Sequence, residues 1–294
     1  MKKNSSFTLI IVLVALLGVF ALVKFTGNSG RSKSFLESLV EIDKEAVTKV
    51  EILSPADTTL LEKQGDSWKV NKEKAGDADV ISSMLNTLET IKPSRLAARS
   101  QDSWKDFQVD ETGTRVIVYE GSKKTLDIVL GRFNVEGQRQ YMSYVRLYED
   151  EDVYVAKDFM KMSVGSRGVD YRNDDILRLN KDSISAVSFN YPDSAFRLDK
   201  ADQGWIIGES AADSATVAKY LQSLNFVTSR NFAEQSGAAL MDVSYELSNG
   251  EDVQVSGYAN NGITSSFNEE EYWEDKNAFD KVFKGASHFL GSGD

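Results

Sequence analysis

Two stretches of the chain decide its architecture: residues 39–72 read LVEIDKEAVTKVEILSPADTTLLEKQGDSWKVNK, and residues 176–209 read ILRLNKDSISAVSFNYPDSAFRLDKADQGWIIGE. They correspond at a constant offset, and the matched positions include a proline pair and a tryptophan pair: Pro55 with Pro192, and Trp68 with Trp205. A register kept without a gap over more than thirty residues indicates an internal repeat. The sequence therefore predicts two copies of one module.

Each copy begins with short segments rich in β-branched and aromatic residues, separated by polar turns: LVEI, VTKVEIL, TTLLEK and SWKV in the first, and ILRL, ISAVSF, AFRLDK and GWII in the second. Such segments are typical of antiparallel strands joined by short turns. An amphipathic helix is predicted next, beginning after Asp77 in one copy and Asp213 in the other, because aspartate caps a first turn well. Its buried face has apolar residues at i, i+4 and i+7: Ile81, Leu85 and Leu88, and Val217, Leu221 and Leu224.

More strands are predicted after each helix: TRVIVYE, TLDIVLG, QYMSYVRLY and DVYVA in the first copy, and MDVSYEL and DVQVSGY around Asn249-Gly250 in the second. A short helix is predicted near the end of each copy, at about residues 157–164 and 277–283. The predicted fold class is α+β. It consists of an N-terminal transmembrane helix followed by two tandem homologous modules, each a largely antiparallel sheet with a packed helix.

The N-terminus contains an uncharged stretch, FTLIIVLVALLGVFALV, at residues 7–23. It exceeds the usual 7–15 apolar residues of a signal peptide, and no pair of small residues follows as a cleavage site. With Lys24 able to reach the interface, the stretch is long enough to span a bilayer, so an uncleaved anchor is predicted. The resulting division is a cytoplasmic tail (1–6), a transmembrane anchor (7–25), a linker (26–38), a first module (39–175) and a second module (176–290).

Composition excludes several classes of function. The chain has no cysteine, which excludes disulfides, thiolate metal sites and lipidation on cysteine. Its net charge of −11 disfavours nucleic acid as a partner, since phosphate binding needs a basic surface. The residues after the anchor are more acidic still and would be repelled by anionic headgroups. We therefore expect a tethered soluble body.

No motif of a catalytic or nucleotide-binding class is present, so no catalytic, cofactor-binding or metal-ligating residue is predicted. The single histidine, His288, lies near the chain end and is expected to be exposed or lightly packed rather than part of a triad. The acidic runs at 149–152 and 269–271 lack the alternating ligands of a calcium loop, and solvated turns are predicted there. Trp68 and Trp205 are predicted to be core residues because they occupy equivalent places in both copies.

Six short motifs resemble those of a known family: VTKVEI (47–52), WKV (68–70), IKPSR (91–95), VLGR (129–132), YVRL (144–147) and DVYVA (152–156). Together they look like the extracytoplasmic family of domain of unknown function 4340, over about residues 39–180 and more loosely beyond. The chain departs from the family at residues 106–110, which read DFQVD where a tyrosine–glycine–leucine–aspartate-like turn is usual.

The resemblance implies a setting rather than a reaction. Similar proteins typically have one N-terminal transmembrane helix and repeated modules, and many are encoded beside gliding-motility-type ABC transporters. The family implies a single-pass protein of the bacterial inner membrane whose C-terminal region is periplasmic, and it offers no catalytic residues to transfer. The expected partners are therefore subunits of an ABC transporter, and no cofactor is expected.

Three functional hypotheses follow. The first is a non-enzymatic accessory or scaffold subunit of a membrane complex. The second is an extracytoplasmic protein that binds a glycan or lipid at a site between the two modules, because module interfaces often form clefts. The third, a carboxylate-dependent hydrolase, requires a pair of acidic groups in a concave site with a raised pKa, and no spacing in the sequence singles out such a pair.

Overall fold

A computed structural model describes residues 39–137 and 140–290 of the chain. The anchor predicted at residues 7–25, with its flanking tail and linker, lies outside the described residues. Within the described part, none of the helices combines the length and the apolar character needed to cross a bilayer. Two large antiparallel sheets with few helices make up this part, so the chain is β-rich and of the α+β type.

The first sheet has nine strands in the spatial order β4-β3-β2-β1-β6-β7-β8-β9-β5. Alternating apolar residues produce them, as the buried alternate positions of β1 show. The strands are β1 (Val47–Leu53), β2 (Thr58–Gln64), β3 (Ser67–Val70), β4 (Lys74–Gly76), β5 (Pro93–Ala98), β6 (Thr114–Glu120), β7 (Lys123–Glu136), β8 (Gln140–Leu147) and β9 (Val153–Lys157).

The second sheet has eight strands in the order β14-β13-β12-β11-β16-β17-β18-β19, and a separate two-stranded pair, β10 with β15, lies beside it. The strands are β10 (Asp175–Leu177), β11 (Ile184–Tyr191), β12 (Ser194–Ala201), β13 (Gly204–Ile207), β14 (Ser210–Ala211), β15 (Val227–Thr228), β16 (Met241–Leu247), β17 (Asp252–Gly257), β18 (Gly262–Ser265) and β19 (Asn268–Glu274).

The two sheets have the same strand order from β4 to β9 and from β14 to β19. Their registers also agree: Val50 pairs with Leu61, and Val187 pairs with Leu198 at the same offset as in the sequence. Even an irregularity recurs, because the register of β1 on β6 shifts after Val47 and that of β11 on β16 shifts after Ile184. The sequence repeat thus corresponds to a repeat of topology and register.

One amphipathic helix packs on one face of each sheet. Asp77 caps the helix α1 (Ala78–Glu89), and Asp213 caps the equivalent α3 (Ser214–Ser223), as the sequence predicts. The six apolar positions predicted for their inner faces are all buried, which places each hydrophobic core between helix and sheet. The described residues also form three short helices: α2 (Trp104–Phe107), α4 (Lys276–Val282) and α5 (Ala286–Phe289).

Several local predictions are wrong. Residues 39–42 are not a strand, although Leu39 and Val40 are buried in the first core. The helix predicted at 157–164 is absent because Lys157 ends β9 and Asp158 adopts a left-handed backbone, with φ of 60°. A three-residue 3-10 turn at Lys161–Ser163 takes its place. The corresponding prediction at 277–283 agrees with α4.

Candidate functional site

The two sheets meet where their terminal strands, β4 and β19, lie next to each other. Residues 172–175, which connect the halves, run between these strands. On one side the backbone N–H of Asn173 donates to the Ala75 carbonyl at 2.9 Å, and Arg172 forms an antiparallel β-bridge with Gly76. On the other side the side-chain amide of Asn268 donates to the backbone carbonyl of Asn173 at 3.1 Å. The connection is therefore hydrogen-bonded to both sheets.

A buried ion pair crosses this joint. The carboxylate of Glu271, in β19, has no exposed side-chain surface. It accepts two hydrogen bonds from the Arg172 guanidinium, one of them from Nε to Oε1 at 2.9 Å. Lys74 Nζ, from β4, lies 3.7 Å from Oε2. A paired, bidentate geometry is what makes burial of these charges tolerable.

The prediction of a solvated turn at residues 269–271 is therefore wrong. These residues lie inside β19, and Glu271 is buried while Glu269 and Glu270 are exposed. Side chains alternate along a strand, so Glu271 shares a face with the fully buried Trp273. The acidic run at 149–152, in contrast, follows β8 in a turn where Glu149 is largely exposed.

A groove of about 570 Å³ opens over this ion pair. Its walls are mainly polar and charged and include Glu73, Lys74 and Glu269. The main apolar wall is Phe232, whose ring has the Arg172 guanidinium 3.8 Å from its centroid. The structure thus has a cleft between the two halves, in the place where the sequence reasoning expected a ligand site.

The outer face of the first sheet, opposite α1, carries a short cover that the sequence did not predict. Residues 101–109, which include α2, pack on a small second core in which Phe107 lies 4.5 Å from Tyr144 between ring centroids. Gly131, in β7, lets the cover approach the sheet closely, because a Cβ at this position would collide with the Phe107 carbonyl. Gln108 ends α2 with a left-handed φ of 54°.

A cavity of about 610 Å³ lies beside the cover. Arg146, from β8, forms its inner wall and is 3% exposed. Its Nε donates to the Val109 carbonyl at 3.1 Å, and its Nη1 donates to the carbonyls of Leu147, Tyr148 and Asp150. Burial lowers the pKa of this guanidinium. Arg146 is thus a buried cation held by carbonyl dipoles.

Arginine and aromatic side chains alternate along the cavity wall. The Arg146 guanidinium lies 3.6 Å from the Trp104 ring centroid and 5.7 Å from that of Tyr148. Arg115 lies 3.2 Å from the Tyr148 ring centroid. Arg115 also donates two hydrogen bonds of 2.8 Å to Asp127. The pKa of Asp127 is lowered. Burial alone would raise it, but the hydrogen bonds from Arg115 and Lys124 outweigh the effect of burial.

An exposed apolar surface lies at the far end of the β7–β8 hairpin. We call it the arm patch and define it as Phe133, Val135, Tyr141, Met160 and Met162. Val135 is 47% exposed and Met162 is 66% exposed. The Phe133 and Tyr141 rings stack at 6.2 Å between centroids. The sequence reasoning missed this surface because it placed the end of β7 at VLG, whereas the strand continues to Glu136.

The remaining predicted residues lie apart from these features. Trp68 is buried in the first core, and Trp205 packs, partly buried, against the second. His288 lies exposed in α5, and its ring is edge-on to that of Phe289 at 5.0 Å between centroids. The partial loss of hydration beside its neighbours, together with the positive charge of Lys284, lowers the pKa of His288. Among the described residues, the carboxyl with a raised pKa is Asp175, shifted by burial although Arg178 donates to it at 2.7 Å. No three histidine or carboxylate side chains in 39–137 and 140–290 are arranged to hold a metal ion.

Comparison with known proteins identifies the family. The profile of the domain of unknown function (DUF4340) matches residues 68–249, more than half of the chain. The chain belongs to this family. The match begins in β3 and ends in the turn between β16 and β17, so it starts later and reaches further into the second half than the motifs alone indicated. No curated protein and no solved structure matches the chain significantly.

Proposed function

We propose that this DUF4340 protein is a non-enzymatic accessory or scaffold subunit of a membrane complex, most specifically a gliding-motility-type ABC transporter. In this proposal residues 7–25 anchor the chain in the bacterial inner membrane, and two homologous modules, 39–175 and 176–290, act in the periplasm. The common strand order, register and helix caps of the two sheets support the homology of the modules.

The observation that carries the proposal is the arm patch. Monomeric proteins rarely leave a contiguous group of large apolar side chains in water, and such patches mark interaction sites. Tyrosine, phenylalanine and methionine, which form most of the patch, are enriched at protein interfaces. Val135 and Tyr141 face each other across the hairpin, so both point to the same side of the sheet. Phe133 stacks on Tyr141 and lines one cleft together with Met162, so these four side chains can be contacted by one partner subunit.

Site-specific photo-crosslinking in native membranes tests the proposal. A photoreactive phenylalanine analogue replaces Val135 or Met162 in the full-length chain, and the exposed Lys200 in the second sheet serves as the matched control position. We expect the two patch positions to capture transporter subunits and the control position to capture none. Capture of no membrane protein, or the same products from all three positions, would contradict the proposal.

A second candidate function is supported by the groove above Arg172 and Glu271. Its polar, charged walls suit the hydroxyl groups of a glycan, whereas an acyl chain would require an apolar lining. This alternative predicts that a panel of glycans contains one whose binding is lost in Lys74→Ala but kept in Lys200→Ala. A panel without any such glycan would remove the alternative and leave the accessory proposal standing.

A further inference from the structure

We propose that the cavity beside the cover of the first sheet binds the carboxylate of an acidic sugar. This site is separate from the groove between the sheets and from the arm patch. The proposal does not depend on the accessory function.

The charged side chain at the cavity wall, Arg146, has a donor left over. The four hydrogen bonds of Arg146 occupy Nε and Nη1, and Nη2 makes none with the described residues. Every one of those acceptors is a neutral carbonyl, and within the described residues the carboxylates of Asp127 and Asp150 act on the buried charge through space without a hydrogen bond to it. A buried cation of this kind gains most from an anionic acceptor, because charge-assisted hydrogen bonds are the strong ones.

The charges of the lining limit the number of charges that the ligand can carry. The lining includes three cations, Lys105, Arg115 and Arg146, and two carboxylates, Asp110 and Glu111. Asp110 is ionised readily, since hydrogen bonds from Thr112 lower its pKa. Arg115 is already committed to Asp127. Lys105 and Arg146 then equal Asp110 and Glu111 in number, so the lining has no excess positive charge for a phosphate dianion, and a single carboxylate would bind at Nη2 of Arg146.

The size and lining of the cavity indicate the remainder of the ligand. The cavity volume of about 610 Å³ is far larger than a carboxylate and lies in the range of small-molecule sites. Trp104 and Tyr148 add aromatic side chains to the lining, and Asp110 and Glu111 can accept hydrogen bonds from the hydroxyl groups of a sugar. A ring with several hydroxyls and one carboxylate uses all of these groups.

Fluorine NMR on the full-length chain in detergent micelles tests the proposal. The chain contains four tryptophans, so 5-fluorotryptophan labelling gives a small set of signals, and Trp104→Phe assigns the one at the cavity. We expect sodium glucuronate to shift the Trp104 signal saturably with a midpoint of about 1–10 mM, leaving the other signals in place. Glucose, which lacks the charge, and acetate, which lacks the ring, serve as probes of each half of the ligand.

A charge reversal at the rim completes the test. Lys105 is exposed, so Lys105→Glu changes the cavity charge without disturbing the core, and Lys200→Glu makes the same change in the other sheet. We expect Lys105→Glu to raise the midpoint about ten-fold and Lys200→Glu to leave it unchanged. The proposal would be overturned if glucuronate gave no saturable shift, or if glucose or acetate shifted the Trp104 signal as strongly as glucuronate does. An unchanged midpoint for glucuronate in Lys105→Glu would also overturn it.

Discussion

The ion pair at the joint between the sheets makes a quantitative prediction for Glu271→Gln. The substitution keeps the volume of the side chain and one acceptor oxygen, and it removes the charge. Glu271 has no exposed side-chain surface, so water cannot replace the lost interaction on its side. Arg172 and Lys74 are then left as two neighbouring cations, with 18% and 38% of their side chains exposed.

The magnitude follows from the geometry. Removing one partner of a buried pair costs about 3–5 kcal/mol. Because glutamine retains one hydrogen bond and both cations keep some hydration, we expect the cost here to be about 2 kcal/mol. The joint, rather than either core, bears this cost. The opening equilibrium of the joint should therefore rise about 30-fold, since 1.4 kcal/mol corresponds to a factor of ten.

Hydrogen exchange with mass spectrometry on the full-length protein measures this opening. We expect exchange to accelerate in the peptides that contain β4, β19 and residues 172–175, while α1 and α3 keep their protection. Glu246→Gln is the matched control, because Glu246 also accepts two hydrogen bonds from one arginine, Arg197, yet both side chains are about 40% exposed. Pairs this exposed contribute little to stability, so the control should change exchange very little.

Two results would refute this reasoning. One is an effect of Glu271→Gln no greater than that of Glu246→Gln. The other is a uniform acceleration across both sheets, which would mean that the pair supports the cores and not the joint. A double variant, Arg172→Met with Glu271→Met, checks the cause, because it removes both charges and should recover most of the protection.

Two further predictions concern the first sheet. Gln108→Gly should stabilise the protein by about 0.5–1 kcal/mol, because the left-handed backbone at this position strains a side chain, and Gln108→Ala should give no such gain in thermal unfolding. Asp127→Asn should lower the melting temperature at pH 7, and its difference from the unsubstituted protein should shrink on acidification to about pH 2–3. The folded pKa of Asp127 is lowered, so its contribution is present above the unfolded value of about 3.9 and is lost as the pH falls through the folded value.

Much of the fold could be predicted because it depends on short-range patterns. Period-two alternation marks β1 and β11, and a capping aspartate followed by apolar residues at helical spacing marks α1 and α3. These signals lie within a few residues of the structure they specify. The repeat strengthens each of them, since one copy checks the other.

The candidate sites could not be predicted in the same way, because they depend on contacts between distant residues. Glu271 is buried by Arg172, 99 positions away, and nothing in the run of three glutamates distinguishes its last member from the other two. One signal was available: Glu271 lies two residues before Trp273, so in a strand the two share a face. The cover was missed because α2 has four residues, too few to show a helical period.

The joint lies where the two halves of the chain differ. In the first half, β5 pairs along the outer edge of β9, with Leu96 opposite Tyr154. The equivalent of Leu96 in the second half is Phe232, which bridges Trp273 in the same way, but the pairing there is an isolated bridge. Most of the outer edge of β19 therefore has no neighbouring strand that corresponds to β5. The connecting segment, residues 172–175, and β4 approach that edge instead. The two sheets thus meet at the edge where the described part of the second half has an isolated bridge in place of a strand like β5.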